Sequence, residues 1–391
     1  MMVTLTLAIR NLIGAGVRTW LNVFVTSLSF IIIVLLYGIQ NGLYDHAVRI
    51  MQETEIGGGL YYHPAYDPDD PISIDDGHGV IPESIASQID RGEAAAVLIT
   101  QAAMYLDGRM MPILIKGINP DQKIVNIPSD VLNGGDSYVI PALIGSGMAS
   151  SNQLEIGDEF TVRWRDTNGS YDALDVKITG IMNVENFRID RGQIWISIQR
   201  LREMMKTPGE ATYVVSSTTI DPAADQDGWT PKDTESLLSV VKKLNDSKKQ
   251  SAKFIFVLLI GVAALGIFNS QILSIFRRRK EIGTLMALGM RRQRVIGLFT
   301  LEGSLHGFFA LIAAAIYGGP LLWYLAVKGI PVPYGSEMGI VIGENLYPVF
   351  GVGLVFGSAC LVGVIVMIVS FFPTRKIAKL QPTDALRGKW A

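Results

Sequence analysis

The stretch WLNVFVTSLSFIIIVLLYGI, residues 20–39, decides the fold class of this chain. It lies in a window without charged side chains that runs from residue 19 to residue 44. Three further uncharged windows follow at 254–276, 303–327 and 345–374. Each exceeds the roughly 20 apolar residues that a helix needs to cross about 30 Å of hydrocarbon. We therefore predict four membrane-spanning helices, because a soluble enzyme is not expected to carry four such windows.

A signal peptide is the alternative interpretation of the first window. It is too long for the apolar region of a signal peptide, and no small-residue cleavage site follows it. We expect it to be retained as the first span.

Charged residues are segregated along the chain. The 391 residues include 34 Lys and Arg against 36 Asp and Glu, a net charge of −2. Residues 45–253 hold 31 of the acids and 19 of the bases, a net charge of −12. The remaining residues hold 5 acids and 15 bases, a net charge of +10. This division predicts two aqueous environments separated by a membrane, and the near-neutral total argues against a nucleic-acid-binding protein.

The basic residues orient the four spans. Lys and Arg cluster before the first span, between the second and third, and after the fourth, so we expect these three segments and both termini in the cytoplasm. The predicted segments are a cytoplasmic amphipathic helix (1–18), the first span (19–44), an extracytoplasmic domain (45–253), the second span (254–276), a cytoplasmic loop (277–294), the third span (295–327), an extracytoplasmic loop (328–344), the fourth span (345–374) and a cytoplasmic tail (375–391).

The extracytoplasmic domain has a mixed pattern, so the predicted fold class is four transmembrane α-helices with a large α+β domain inserted between spans 1 and 2. Partial alternation and β-branched residues predict strands at 113–118, 159–165, 174–182 and 193–198. Short helices are predicted at 82–91, 142–153 and 199–206, a loop at 57–79, and turns at 157–158 and 168–169, the second of them a hairpin. Apolar residues at helical spacing from Leu237 to Leu244 predict a helix that continues into the second span.

The sequence carries no recognisable catalytic or metal constellation. The four histidines are scattered, Cys360 is the single cysteine, and no G-x-x-x-x-G-K-[ST] phosphate loop occurs. The acidic loop DPDD (67–70) departs from the spacing of an EF-hand and is expected to be solvated. We predict no catalysis and no directly bound cofactor or metal. Glu302 and His306 are the intramembrane polar residues, and we favour a shallow hydrogen-bonded pair over a proton relay.

The segment RRRKEIGTLMALGMRRQRVIGLFTLEG, residues 277–303, is a short apolar helix between basic clusters on the predicted cytoplasmic side. Small residues in it permit close approach, and Gly289 is placed to end the helix. One interpretation is a docking element for a cytoplasmic partner. The alternative is a positively charged loop that lies on lipid headgroups.

The residues of this segment resemble the permease domain of the FtsX/MacB/LolCE-like ABC transporters. LAIRNLIGAGVRTWL (7–21) is similar to the helix that precedes the family's first span, and PTRKIAKLQPTDALR (373–387) to its C-terminal sequence. YVIPALIGSGMASSNQLEIGDEFTVRW (138–164) is similar to its extracytoplasmic domain. The layout, with one domain of about 200 residues between spans 1 and 2, is most similar to the lipoprotein-releasing (LolC/LolE) permeases.

The resemblance implies that residues 281–290 form a coupling helix seated in a groove of a separate ATPase. Glu281 would be its polar contact, and Ile282, Leu285 and Met286 its apolar ones. The residues assigned to the contact are Glu281, Ile282, Gly283, Leu285, Met286, Ala287, Leu288, Gly289 and Met290, and the cytoplasmic basic cluster is Arg277, Arg278, Arg279, Lys280, Arg291 and Arg292. Met286 and Met290 depart from the Arg and Ala that are usual in the family, which suggests a more apolar contact.

The resemblance further implies a homodimer or a heterodimer with a related permease in a bacterial inner membrane, with ATP and Mg bound by the partner ATPase. The expected function is release of lipoproteins or another amphiphilic substrate from the outer leaflet. Two alternatives stay open: a mechanical or signalling transducer that activates an extracytoplasmic partner, and MacB-like export of peptides or small molecules. No nucleic acid is expected among the partners.

Overall fold

The computed structural model describes residues 17–134, 139–183, 190, 192–223, 227–331 and 345–377. Most of the predicted N-terminal helix, the loop at 328–344 and the cytoplasmic tail lie outside the described residues. The chain divides into two compact units. The helical unit comprises residues up to Gly42, Asn245–Pro331 and residues from Asn345 onwards, and the sheet domain comprises Leu43–Leu244.

The helices, in chain order, are α1 (Val17–Met51), α2 (Glu83–Asp90), α3 (Ser146–Asn152), α4 (Ile198–Met205), α5 (Thr234–Arg277), α6 (Arg279–Ala287), α7 (Arg292–Ala313), α8 (Gly319–Lys328) and α9 (Val352–Ile377). A π-helical turn over Ala314–Gly318 joins α7 to α8. Among the described residues, four helices are long and apolar enough to cross a membrane: α1, α5, the combined α7–α8 helix, and α9. The four predicted spans therefore correspond to helices, but the fourth begins at Val352 and not at 345, because β13 and an irregular segment come first. α5 runs without a break through the stripe that begins at Leu237.

Helix α1 is the best buried of the four spans. Half of its most apolar window is buried, against fewer than a fifth of each of the other three. Gly38 explains part of this burial, because a Cβ there would lie 2.2 Å from the ring of Phe350, and its carbonyl accepts the Val349 N–H at 2.9 Å. α1 also contacts the third span, because Ser27 Oγ lies 2.8 Å from the hydroxyl of Tyr317, which belongs to the π-helical turn. α1 therefore packs against both the third and the fourth span.

The strands, in chain order, are β1 (Gly59–Tyr62), β2 (Gly79–Val80), β3 (Ala94–Leu106), β4 (Arg109–Ile118), β5 (Val139–Gly145), β6 (Glu159–Arg165), β7 (Tyr171–Met182), β8 (Gln193–Ser197), β9 (Glu210–Ala211), β10 (Tyr213–Ser216), β11 (Thr230–Asp233), β12 (Ile330–Pro331) and β13 (Asn345–Leu346). Among the described residues, nine strands form one sheet in the order β11-β1-β10-β3-β4-β8-β5-β7-β6, and the pairs β2–β9 and β12–β13 stand apart.

The large sheet closes on itself through β3. The last strand, β6, pairs antiparallel with β3 at Ala102–Tyr105, so six strands form a barrel: β3, β4, β8, β5, β7 and β6. The first residues of β3, Ala94–Val97, pair instead with β10, which carries β1 and β11 outward. Closure removes free sheet edges from the barrel. The length of β3 allows one strand to serve both the barrel and its three-stranded extension.

The barrel core follows from alternation along its strands. In β6, Phe160, Val162 and Trp164 point inward and are buried, while the residues between them face outward or are partly buried. The indole N–H of Trp164 donates to the Met204 carbonyl at 3.0 Å, so the polar atom of this large side chain is satisfied. β6 and β7 form the hairpin predicted from the turn at 168–169.

Several predictions for this domain need correction. The helix predicted at 142–153 begins only at Ser146, because residues up to Gly145 continue β5 between β7 and β8. The loop predicted at 57–79 contains β1 and a 3₁₀ turn at Pro71–Ile74. β3 was not predicted at all, because its first seven residues are buried and show no alternation.

The chain enters and leaves the domain at neighbouring positions. β1 and β11 are antiparallel partners with Gly59 opposite Asp233, and the Thr234 hydroxyl donates to the Gly58 carbonyl at 3.0 Å. A Cβ at Gly58 would lie 2.4 Å from the carbonyl group of Thr218, so only glycine fits. The strand that follows α1 and the strand that precedes α5 are therefore fixed to each other by the sheet.

Candidate coupling segment

Helix α6 is a two-turn helix that stands between two sharp breaks. α5 ends at Arg277, Arg278 leaves helical geometry with φ −97° and ψ 14°, and α6 begins at Arg279. At the other end, Gly289 has φ +90° and donates its N–H to the Met286 carbonyl at 3.1 Å. The left-handed φ is readily adopted by glycine, which explains why the helix stops there. The predicted glycine end is thus present, and the helix begins two residues earlier than 281.

One face of α6 is sealed against the helices on either side of it. Ile282, which is 1% exposed, packs with Ile275 of α5 and with Val295 and Phe299 of α7, and we call these four residues the α6 cluster. Met286 and Met290 are partly buried against it. Burial of the apolar face fixes which side of α6 faces outward.

The outward face differs from the contact surface that the resemblance implied. Ile282 and Gly283 are buried within the chain, so they do not form part of an accessible surface. Glu281, Ala287 and Gly289 are exposed, and Leu288 is 80% exposed. The side chains of Met286 and Met290 are partly buried. The side chains of Leu285 and Arg279 lie outside the described residues.

Basic residues flank this surface. Arg277 and Lys280 are exposed before or at the start of α6, and Arg291 and Arg292 are exposed where α7 begins. Arg278 is the exception within the described part of the basic cluster, because its guanidinium turns inward.

Arg278 bridges two carboxylates. Its Nε donates to Glu281 Oε2 at 2.8 Å, and its Nη1 donates to the two carboxylate oxygens of Glu302 at 2.9 and 3.2 Å. The guanidinium carbon lies 5.1 Å from the ring centroid of Phe299, within cation–π distance. Burial, the largest influence, lowers the pKa of Arg278. The hydrogen bond to Glu281 and the charge of Glu302 outweigh it, so the net pKa is raised.

Glu302 and His306 are both buried in α7, and the hydrogen bond that joins them runs through the backbone of Glu302. His306 Nδ1 lies 3.2 Å from the backbone carbonyl of Glu302, whereas the carboxylate of Glu302 contacts Arg278. The reason is geometric, because Arg278 approaches Glu302 from the preceding helix break and offers a full charge.

Sequence reasoning missed this bridge. Glu281 was assigned outward and Glu302 was assigned to the membrane, and Arg278 was counted only as one member of a basic cluster. The spacing Arg278–Glu281, which is i, i+3, was the one local signal. Glu302 is 24 residues away from Arg278, so only the hairpin of α6 and α7 brings the two together.

A second cluster of titratable residues lies in the sheet domain. His78 Nδ1 lies 2.6 Å from Glu210 Oε2, and the ring of His63 packs edge-on against Trp229. Burial lowers the pKa of His63, and the nearby His78 lowers it further against the raising influence of Glu210. Among the described residues, no group of three His, Cys, Asp or Glu side chains is placed to hold a metal ion.

A segment of 130 residues in the C-terminal part of the chain matches a known family model. Residues 253–382 match the family model described as the FtsX-like permease C-terminal domain. This range includes the membrane part of α5, all of α6, the third span, and α9.

Two curated proteins are similar to parts of the chain at modest identity. The lipoprotein-releasing system transmembrane protein LolC of Neisseria meningitidis serogroup B is 23% identical over 331 residues, which cover 75% of this chain and 77% of that protein. The macrolide export ATP-binding/permease protein MacB 2 of Aeromonas hydrophila is 25% identical over 156 residues, 39% of this chain and 22% of that protein.

A crystal structure also shows similarity, to the extracellular domain of the ABC-type transporter YknZ from Gram-positive bacteria. It is 14% identical with a TM-score of 0.25, and it covers 40% of this chain and 80% of that chain.

Proposed function

We propose that the chain is an ABC transporter permease of the FtsX/MacB/LolC type and that α6 is the coupling helix through which a separate ATPase subunit moves the helical unit. The match of residues 253–382 to the permease family model and the similarity to LolC and MacB support the first part. The family implies a cytoplasmic ATPase partner. That partner supplies ATP hydrolysis with Mg, and this chain supplies the spans and the sheet domain. The observation that carries the proposal is the outward face of α6, with Glu281 and Leu288 exposed between exposed basic residues.

The chemistry of that face suits a groove on a protein. A short helix with its apolar side sealed inside the chain offers a firm support for a few outward contacts. Leu288 is a large exposed apolar side chain at the end of the helix, and such a side chain is a suitable anchor for a pocket. Glu281 adds a carboxylate beside it, although Arg278 occupies one of its oxygens.

The proposed orientation places α6 and both termini on the cytoplasmic side of a bacterial inner membrane. The support is the segregation of charge, with a net +10 outside residues 45–253 and −12 within them. The sheet domain is then extracytoplasmic. Two permease subunits, identical or related, would complete the transporter.

For the substrate, we propose lipoproteins or another amphiphilic molecule taken from the outer leaflet. The support is layout and the extent of similarity: the match to the lipoprotein-releasing protein LolC spans 75% of this chain, whereas the match to the macrolide exporter spans 39%. Export of peptides or small molecules, as in MacB, remains the competing transport function.

A transducer that moves no substrate is the second candidate function. The specific support is that α5 is one helix of 44 residues and passes from the sheet domain into a span without interruption. Such a helix can carry displacement along its axis. A density map of the complex with its ATPase separates the two functions: acyl-chain density between subunits supports lipoprotein extraction, and a sealed interface in every nucleotide state contradicts it.

The coupling assignment is tested with Glu281→Lys combined with Leu288→Asp in the full chain, co-expressed with its ATPase. We expect at least a tenfold loss of ATPase co-purification, because both changes alter the outward face and leave the α6 cluster in place. Glu281→Lys also removes the hydrogen bond from Arg278, so Leu288→Asp alone is measured beside the double variant. Glu235→Lys is the matched control, since Glu235 is an exposed carboxylate at the start of α5. Equal co-purification of the double variant and the control would refute the assignment.

A further inference from the structure

We propose that Arg278 is a positioning residue that sets the orientation of α6 against the third span, because it holds Glu281 of α6 and Glu302 of α7 with one guanidinium. This proposal rests on the proposed role of α6 as the coupling helix. It adds a residue that would not itself touch the ATPase but would determine whether a push on α6 reaches α7.

The position of Arg278 in the chain is the first reason. α5 ends one residue before it and α6 begins one residue after it, so the backbone at Arg278 is the joint between a membrane span and α6. A joint of one non-helical residue leaves the direction of the next helix to be fixed by side chains. Among the described side chains, Arg278 is the one at that joint.

The geometry of the contacts is the second reason. Nε and Nη1 of the guanidinium point to different helices, at 2.8 Å to Glu281 and at 2.9 and 3.2 Å to the two oxygens of Glu302. A planar guanidinium holds these directions rigidly, because its donors are fixed in one fork. A lysine ammonium at this position would keep the charge but not the fork.

Burial is the third reason. The side chain of Glu302 is 7% exposed and that of Arg278 is 23% exposed, so solvent screens this pair little. The carboxylate of Glu281 is largely exposed by contrast. A charge pair that is shielded from water loses more on removal of one partner than an exposed pair does. The contact to Glu302 is therefore the stronger of the two attachments.

The surroundings show what Arg278 adds to apolar packing. Ile282 and Phe299 hold α6 close to α7, but apolar contacts are not directional, and such surfaces can slide over each other. Phe299 also supports the guanidinium from its ring face. Arg278 supplies direction where the α6 cluster supplies only proximity.

The test measures α6 directly in the full chain in lipid nanodiscs without ATPase. Spin labels are placed at Thr284→Cys on α6 and Phe308→Cys on α7, both exposed positions, in a Cys360→Ala background because Cys360 is exposed. We expect one narrow distance distribution for this parent. Glu302→Gln and Arg278→Gln should each widen it at least twofold, and the double variant should widen it no further, because the two residues act as one contact.

Two variants separate positioning from general effects. Arg278→Lys should give an intermediate width, because it retains charge without the fork. Arg277→Gln removes an exposed charge at the preceding position and should leave the width unchanged. If Arg278→Gln does not yield folded protein, the near-isosteric Glu302→Gln decides the question. An unchanged width in Glu302→Gln overturns the proposal.

A second measurement uses the ATPase that co-purifies with the parent chain. With Glu302→Gln, we expect co-purification within twofold of the parent and ATP turnover of the complex changed at least fivefold, since the outward face is intact but loosely held. Loss of co-purification in proportion to lost protein stability would indicate a merely structural role and contradict the proposal. If the distance distribution widens but Glu281→Lys with Leu288→Asp leaves ATPase binding unchanged, the Arg278 bridge stands and the proposed coupling function fails.

Discussion

Trp164 and Trp195 of the sheet domain are at most 2% exposed, whereas Trp20 and Trp323 of the helical unit are 50% and 68% exposed. The same side chain is enclosed by its own chain in one unit and turned outward in the other. Trp164 belongs to the barrel core. Trp195 points to the other face of β8 and belongs to a second buried cluster of the sheet domain, so both side chains are surrounded by their own chain. The outer faces of the four long helices are not enclosed in this way by the described residues.

Glycines of the helical unit show a similar contrast between positions enclosed by the chain and positions that face away from it. At Gly303 of α7, a Cβ would lie 2.3 Å from Ser370 Oγ of α9, while at Gly353 and Gly357 of α9 no atom lies within 4 Å of the added Cβ. The small-residue step at 303 therefore serves packing within the chain. The step at 353 and 357 faces away from the described neighbours. Packing against the rest of the chain is thus complete at Gly303 and open at Gly353 and Gly357.

The sharpest contrast is between Trp164 and Trp323. Trp164→Ala should lower the free energy of unfolding of the sheet domain by about 3–5 kcal/mol, because it removes a large buried side chain and leaves a cavity. Trp323→Ala should change the free energy of unfolding of the helical unit by less than about 0.5 kcal/mol. Near-UV circular dichroism of the detergent-solubilised full chain during heating measures both. Equal effects of the two substitutions would show that exposure in one subunit does not describe Trp323 in the assembled protein.

Within α7, Gly303→Ala and Gly297→Ala form a matched pair. Gly303→Ala should destabilise the helical unit by about 1–3 kcal/mol, because the new methyl group collides with Ser370 and Gln271. Gly297→Ala meets no neighbouring atom and should be neutral or slightly stabilising. The midpoint of thermal inactivation in detergent, followed by size-exclusion chromatography, compares them. If Gly303→Ala is tolerated as well as Gly297→Ala, the close packing of α7 against α9 is wrong.

The smallest effect concerns an ion pair at the barrel. The hydrogen bond from Lys206 lowers the pKa of Asp166, and the N–H of Ser170 adds to this. A carboxyl group with a lowered folded-state pKa stabilises the fold above its unfolded pKa of about 3.9, and this contribution is lost as the pH falls through the folded-state pKa. Asp166→Asn should therefore lower the melting temperature at pH 7 and lose less on acidification than the parent does.

Lys206→Met should reproduce that loss at pH 7, since it removes the other half of the pair. The melting temperatures of parent and variants are compared between pH 7 and pH 3. Parallel curves for the parent and Asp166→Asn would mean that this carboxyl group makes no pH-dependent contribution to the stability of the barrel.

Much of the architecture was predictable from local pattern. The four spans follow from uncharged windows, and β6, β7 and β8 were predicted within a few residues because alternation reports one buried face. β3 escaped prediction because Ala94–Thr100 is buried along its whole length and pairs on both edges. A segment buried on both faces has no period for a sequence to display.

The segment around α6 likewise has features that the sequence predicts and features that it does not. Its helix and its end at Gly289 follow from the sequence, since both depend on neighbouring residues. The inward direction of Ile282 and the Arg278–Glu302 bridge do not, because they depend on how α6 folds back along α7.

By itself, the sequence determined the number of spans, the division of charge and the presence of a short helix between the second and third spans. The spans and the short helix depend on composition within about 20 residues, the length of helix that crosses a bilayer. The division of charge is a sum over the sequence and needs no tertiary contact. Only the tertiary structure decided that β6 returns to β3 to close a barrel and that Arg278 reaches Glu302. Both contacts join residues far apart in the chain, and their formation depends on the summed packing of everything between them.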